Sequence, residues 1–206
     1  MIDDVVAAIR AGRPVILPTD TVYGLCTTAY SADAAERLYA LKGRPPTQPT
    51  ALLASDVDML LECVPELRGR AGTIVRALLP GPYTLVLANP ARRYRWLTGP
   101  APDKIGVRVP VLAGDAATVL LRVGAVAATS ANLPGGPDPR RLDDVPPELR
   151  SRVATELEGG ELPGTPSTVV DFTTEPPTVL RDGAAPAAEA IARVARGSRP
   201  STASRR

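Results

Sequence analysis

The residues with chemistry to offer gather at the ends of apolar runs. Thr19, Asp20 and Thr21 follow Val15, Ile16 and Leu17 across Pro18, and the chain returns at once to Val22, Tyr23, Gly24 and Leu25. Lys42 and Arg44 form a KGR step, Ser130 and Asn132 sit in TSAN after the run AVAA, Ser167 precedes TVVD, and Arg181 follows TVL. Taken singly, PTDT reads as a turn and TSAN as a helix N-cap or Asx-turn. Arg108 is different because it lies inside an apolar run, between Val107 and Val109. A strand arginine with β-branched neighbours points to one face of its sheet, and a buried guanidinium requires an anion. Together these residues supply cations and hydroxyls, the groups that grip carboxylate and phosphate oxygens. In open α/β sheets the ligand cleft lies beyond the strand ends, where these residues collect.

Composition narrows the reaction such groups could run. The 206 residues include no histidine, which removes Ser-His and Cys-His nucleophile systems and histidine-ligated metals. Cys26 and Cys63, the two cysteines, lie in separate apolar segments without a CxxC. That is the pattern of core thiols in a reducing compartment, and it offers no zinc site. GxxxxGK[ST] is absent, and no GxGxxG follows a strand, so any phosphate must be held by side-chain cations and hydroxyls drawn from several loops. Net charge is only +2, and lysine occurs just at Lys42 and Lys104, every other cation being arginine. An ammonium is a compact point charge and a guanidinium a planar fork. The two lysines therefore either mark places that need ammonium geometry or are incidental.

The elements that must position these groups read as alternating helix and strand. Residues 3 to 11 have helical spacing, with Gly12 ending the helix before the strand VIL. Residues 31 to 41 form a second helix capped by Ser31, with Ala34, Ala35, Leu38 and Leu41 as its buried stripe. TALLAS is a strand, DVDMLLECV and PELRGRAGTIVRALL are helices, and PGPY turns into the strand TLVLA. IGVRVP, AVAA, STVVDF and TVLR read as further strands, with helices over AGDAATVLLRVG and PAAEAIARVARG. Residues 133 to 148 carry too much Pro and Gly for regular structure. The expected architecture is one α/β domain over 1–196, an open twisted mixed sheet with flanking helices, followed by a disordered basic tail at 197–206. No apolar run approaches the roughly 18 residues of a membrane span, and the N-terminus MIDDVVAAIR is acidic, unlike a signal peptide. A soluble, cytoplasmic location is expected.

PTDTVYGL, KGRP, PGPYTLVL, IGVRVP, TSANLPG, STVVD and VLRDG occur in that order across residues 18 to 183. This series resembles the YrdC-like family of threonylcarbamoyl-AMP synthases in its single-domain form. The resemblance implies a YrdC-like fold with a concave basic face. It implies formation of threonylcarbamoyl-AMP and pyrophosphate from L-threonine, bicarbonate or CO2, and ATP. Mg2+ would accompany the ATP without a dedicated protein site. A downstream transferase complex would then modify adenosine 37 of tRNA to t6A.

By the same resemblance, Thr21, Arg108, Ser167 and the backbone at Ala128 meet the threonine, while Thr19 and Asp20 shape the loop. Lys42 and Arg44 match the family's KxR and would bind the triphosphate and the bicarbonate-derived carboxylate. Gln48, Lys104, Ser130, Asn132, Asp138 and Arg181 match positions that line the ATP site. Lys104 stands where relatives often carry Thr, which leaves a phosphate role and a solvated charge both open. Leu53 stands where some longer relatives place a His against threonine, so threonine affinity or selectivity could differ. Two other readings compete. One is a YciO-like paralogue with weak or different activity, because PGPYT, IGVRVP and GGELPGTPSTVVD resemble that group too. The other is a module binding double-stranded RNA or tRNA, although seven aromatics leave little for base stacking.

Overall fold

The computed structural model describes residues 1–197; beyond Gly197, the expected basic tail lies outside the described residues. Nine strands share one mixed, open sheet. In chain order they are β1 (Val15–Pro18), β2 (Tyr23–Thr28), β3 (Ala51–Ala54), β4 (Tyr83–Ala88), β5 (Lys104–Arg108), β6 (Ala125–Ser130), β7 (Thr155–Glu156), β8 (Thr168–Asp171) and β9 (Thr178–Arg181). Their spatial order is β7-β1-β2-β6-β3-β5-β4-β8-β9. The pairs β1–β2, β2–β6, β3–β6, β4–β5 and β8–β9 are antiparallel; β1–β7, β3–β5 and β4–β8 are parallel.

Helices α1 (Ile2–Arg10), α2 (Ala32–Lys42), α3 (Val57–Cys63), α4 (Gly69–Leu78), α5 (Gly114–Val123), α6 (Pro147–Arg150) and α7 (Ala187–Gly197) flank the sheet. One core cluster packs Leu52, Leu85 and Val107 against Leu60, Ile74 and Val194 of α3, α4 and α7. A second sets Val5 and Ile9 of α1 and Val119 of α5 against Val15, Cys26 and Val126. The third sets Leu38 and Leu41 of α2 against Ile16, Tyr23 and Leu25. Burial of these apolar faces on both sides of the sheet, rather than helix propensity alone, is what fixes the helices in place.

Local chemistry sets the ends of the helix that feeds the site. Ser31 Oγ accepts a hydrogen bond from the Ala34 backbone N–H at 3.3 Å, as expected of its cap. At the far end Gly43 adopts the left-handed conformation with φ 65°, which ends α2 between Lys42 and Arg44. The register Pro18↔Tyr23 makes residues 19 to 22 the turn of the β1–β2 hairpin. PTDT is therefore a turn, as its sequence suggests, and a turn at the edge of a cavity.

Several elements depart from the expected pattern. Strand β2 is not among the expected strands, because Gly24 and two threonines interrupt the apolar pattern, yet all six of its residues are buried. The helix expected from Pro65 starts at Gly69, since Leu67 and Arg68 donate backwards to Val64 and Glu66 in tight turns. The irregular stretch 133–148 holds a 3-10 turn at Leu142–Asp144 and the start of α6. Two-residue β7 carries too little pattern to be seen in sequence.

Gly183, in the terminal VLRDG, lies where two backbone segments press together. A Cβ there would stand 2.3 Å from the Pro166 carbonyl oxygen and 2.6 Å from Ser167 C and from Thr168 N. Backbone atoms cannot rotate away, so Gly183→Ala must shift the start of β8. Overpacking of this kind costs about 1–3 kcal/mol. Urea unfolding should show that loss, and an unchanged midpoint would mean the two segments separate freely.

Candidate functional site

A cavity of about 580 Å³ opens where the strand ends converge. The registers Gly24↔Ser130, Ala51↔Ala128 and Leu53↔Arg108 bring the hairpin turn, TSAN and the strand arginine to one end of the sheet. Val169↔Arg181 brings β9 to the same hollow. Among its lining residues are Thr21, Lys42, Arg44, Gln48, Lys104, Arg108, Ala128, Ser130, Asn132, Ser167 and Arg181. Of the residues expected to act, Asp138 alone is outside this lining; it stands near enough to favour the charged forms of Lys42 and Arg181. Leu53 lines the cavity as well.

Arg108 is 7% exposed, and the anion it needs is Asp20. Its Nη2 donates to Asp20 Oδ1 and, at 2.9 Å, to Thr21 Oγ1. Asp20 Oδ2 in turn accepts from the Val111 N–H at 3.0 Å. Thr19 Oγ1 accepts from the backbone N–H of Thr21 and of Val22 and donates to Val22 O, which ties the turn together. Arg108 Nε is buried and has no acceptor among the described residues. Burial lowers the pKa of Arg108, and Asp20 opposes the shift.

Lys42 sits in a different setting. It is 5% exposed, yet its Nζ donates only to neutral oxygens. These are Ser130 O at 2.5 Å, Asn132 Oδ1 at 2.9 Å, Thr129 Oγ1 at 3.2 Å and Ser130 Oγ at 3.3 Å. Burial first, and then the Arg44 charge, push its pKa down to about 8, with Asp138 pulling the other way. Arg44 donates from Nη1 to Thr129 Oγ1 at 2.9 Å and from Nη2 to Pro49 O at 2.6 Å. Its Nε is buried without an acceptor among the described residues.

The far wall is built on Ser167. Arg181 donates from Nε and Nη2 to the Ser167 carbonyl at 3.0 and 2.8 Å, and Thr84 Oγ1 meets Ser167 Oγ at 2.8 Å. Lys104 lines the cavity and is held there by an acid. Its Nζ bonds Asp171 Oδ2 at 2.9 Å, so this cation is paired. Asp171 also accepts from the backbone N–H and hydroxyl of Thr173; although burial acts to raise its pKa, these bonds and Lys104 hold it below the usual carboxylate range.

The result is two unlike groups of cations in one hollow. At one, a guanidinium already neutralised by Asp20 keeps a spare N–H. At the other, Lys42, Arg44 and Arg181 rest on neutral oxygens and can take a multiply charged group. Sequence reading overlooked Asp20 as the partner of Arg108, Thr129 between the two cations of KGR, and Thr84 and Asp171 in the lining. The signal for Asp20 was present: a buried strand arginine demands an acid, and PTDT supplies one. Thr129 gave none beyond its place in TSAN.

The Sua5/yciO/yrdC family model, described as telomere recombination, matches residues 7–183. The chain is 34% identical over 182 residues to the threonylcarbamoyl-AMP synthase of Pyrococcus abyssi, covering 88% of this chain and 53% of that protein. It therefore spans about half the length of that relative. The crystal structure of P. abyssi Sua5 complexed with L-threonine superposes with a TM-score of 0.82 at 34% identity, over 94% of this chain and 56% of that one. The threonylcarbamoyl-AMP synthase of Halorhodospira halophila is 35% identical over 180 residues, 86% of this chain and 87% of that protein. The structure of E. coli YciO superposes with a TM-score of 0.77 at 27% identity, over 90% of each chain.

The Lys42 environment makes anion binding pH-dependent. Only protonated Lys42 attracts an anion, so affinity should hold below about pH 8 and fall as pH rises through that value. Sulfate keeps a constant charge over this range and is a clean probe by calorimetry. Lys42→Met should weaken binding and remove the step; a step that survives the substitution would have to come from another group.

Proposed function

The chain belongs to the Sua5/YciO/YrdC family, and on that footing we propose that it is an L-threonylcarbamoyladenylate synthase, a nucleotidyltransferase acting in tRNA t6A formation. The observation that supports this reading is the presence, within one cavity, of an acid-paired arginine and of cations resting on neutral oxygens. The reaction needs an amino-acid carboxylate and a triphosphate held side by side.

Threonine enters at the hairpin end. Its carboxylate lies against the free edge of Arg108, and Thr21, Ser167 and the backbone at Ala128 enclose the rest. ATP lies along Lys42, Arg44, Ser130, Asn132 and Arg181, with Gln48 and Lys104 at the rim and Asp138 acting on the cations from outside the lining. The threonine amine attacks the carbon of CO2 and releases a proton, or that of bicarbonate with loss of water, to give a carbamate. A carbamate oxygen then attacks the α-phosphorus, and pyrophosphate leaves. Neither step needs a protein nucleophile, which suits a chain without histidine. Lys42 and Arg44 stabilise the negative charge that develops on the phosphates, and Arg108 fixes the amine in line.

Mg2+ would supply further charge neutralisation when it arrives with ATP. In this reading the ion would be bound through the phosphates. The product would pass to a transferase complex acting on tRNA in the cytoplasm. Among the described residues, no helix is long and apolar enough to cross a membrane. Contact with tRNA or double-stranded RNA would accompany this activity. The mutual 90% coverage with E. coli YciO supports a second reading, a YciO-like protein of weak or different activity.

Pyrophosphate release that depends on both ATP and threonine separates these readings. The synthase reading expects that release, with threonine preferred over serine, and a drop of at least about tenfold in Lys42→Ala. Release without threonine, or full activity in Lys42→Ala, would overturn the assignment.

A further inference from the structure

Thr129 is the polar residue of TSAN to which the proposed reaction gives no task, yet it stands where the two KGR cations meet. Its Oγ1 accepts from Lys42 Nζ at 3.2 Å and from Arg44 Nη1 at 2.9 Å. A threonine hydroxyl has two acceptor lone pairs and one proton to donate. Both lone pairs face donors that cannot accept, since ammonium and guanidinium carry only N–H groups. The proton is therefore left over, and Thr129 is one of the residues lining the cavity. Arg44 brings a second unused donor to the same place, because its Nε is buried and without an acceptor among the described residues.

We infer that Thr129 is a positioning residue, spacing Lys42 and Arg44 and turning its own O–H toward an oxyanion held between them. Two like charges this close repel, and the Arg44 charge is one cause of the lowered Lys42 pKa. An oxygen bonded to both relieves that repulsion and sets the distance between them. The strand β6 holds the hydroxyl in place through the register Thr129↔Leu25, so the spacing does not depend on two long flexible side chains. The oxyanion is a phosphoryl or a carbonate oxygen, both of which accept from three such donors.

This inference rests on the synthase reading for its link to turnover, but it can be tested without it. Thr129→Val keeps the shape and removes the hydroxyl, and Thr129→Ser keeps the hydroxyl and removes the methyl. Calorimetry with pyrophosphate alone should show affinity falling roughly tenfold or more in Thr129→Val and restored in Thr129→Ser. Removing an acceptor disfavours the charged ammonium, so the alkaline fall in kcat/KM for ATP should move to lower pH in Thr129→Val. The charged groups acting on Lys42 in that profile are Arg44 from the loop after α2 and Asp138 from the segment after β6; Arg181 of β9 acts on Arg44. A larger effect on the KM for bicarbonate than on pyrophosphate affinity would identify the oxyanion as carbonate. Should the wild-type chain release no pyrophosphate, the synthase reading fails while the calorimetry still decides the role of Thr129. Equal pyrophosphate affinity and pH profile in wild type and Thr129→Val would overturn the inference, as would equal losses in the Val and Ser variants.

Discussion

A buried ammonium ringed by neutral oxygens is the constraint around which this protein is built. Removing Lys42 from water is costly, and a carboxylate beside it would be the ordinary remedy. Here the carbonyl of Ser130, the amide of Asn132 and two hydroxyls do the solvating instead. They stabilise the charge without cancelling it, so the positive potential is kept for a ligand. The arrangement demands that α2 and the end of β6 stay in fixed relation. The left-handed Gly43, the cap at Ser31 and the packing of Leu38 and Leu41 on Tyr23 and Leu25 serve that demand.

Much of this organisation is legible in the residues themselves. Apart from the helix that starts at Gly69 instead of Pro65, helices declared by apolar spacing and caps appear where expected, and polar groups at the ends of apolar runs do meet in one hollow. Arg108 illustrates why: an arginine between two valines in a strand points to one face of its sheet, and once buried there it needs an anion. The scattered motifs converge because the sheet order sets β1, β2, β6, β3 and β5 side by side, so that distant segments end at a common edge.

What the residues concealed was pairing. Whether Lys104 is solvated, ligand-bound or bonded to Asp171 depends on β4 lying between β5 and β8, a long-range fact with no local trace. The same holds for Thr129, whose significance arises only when α2 brings two cations to it. Strand β2 was hidden for another reason. Its glycine and threonines lack apolar character, and one of the two strands that flank it, β6, is distant in the chain.

The bond between Asp20 and Arg108 also governs which solutes can lodge at that end of the hollow. A lone small anion such as chloride or acetate finds a guanidinium whose charge is already answered, and gains little by displacing water there. Only a molecule that engages the spare guanidinium edge while offering further hydrogen-bonding groups to the threonine and serine hydroxyls wins enough contacts to stay. On the proposed function, occupancy there would be screened against the abundant simple salts of a cell, and the shape of the guest would outweigh its charge.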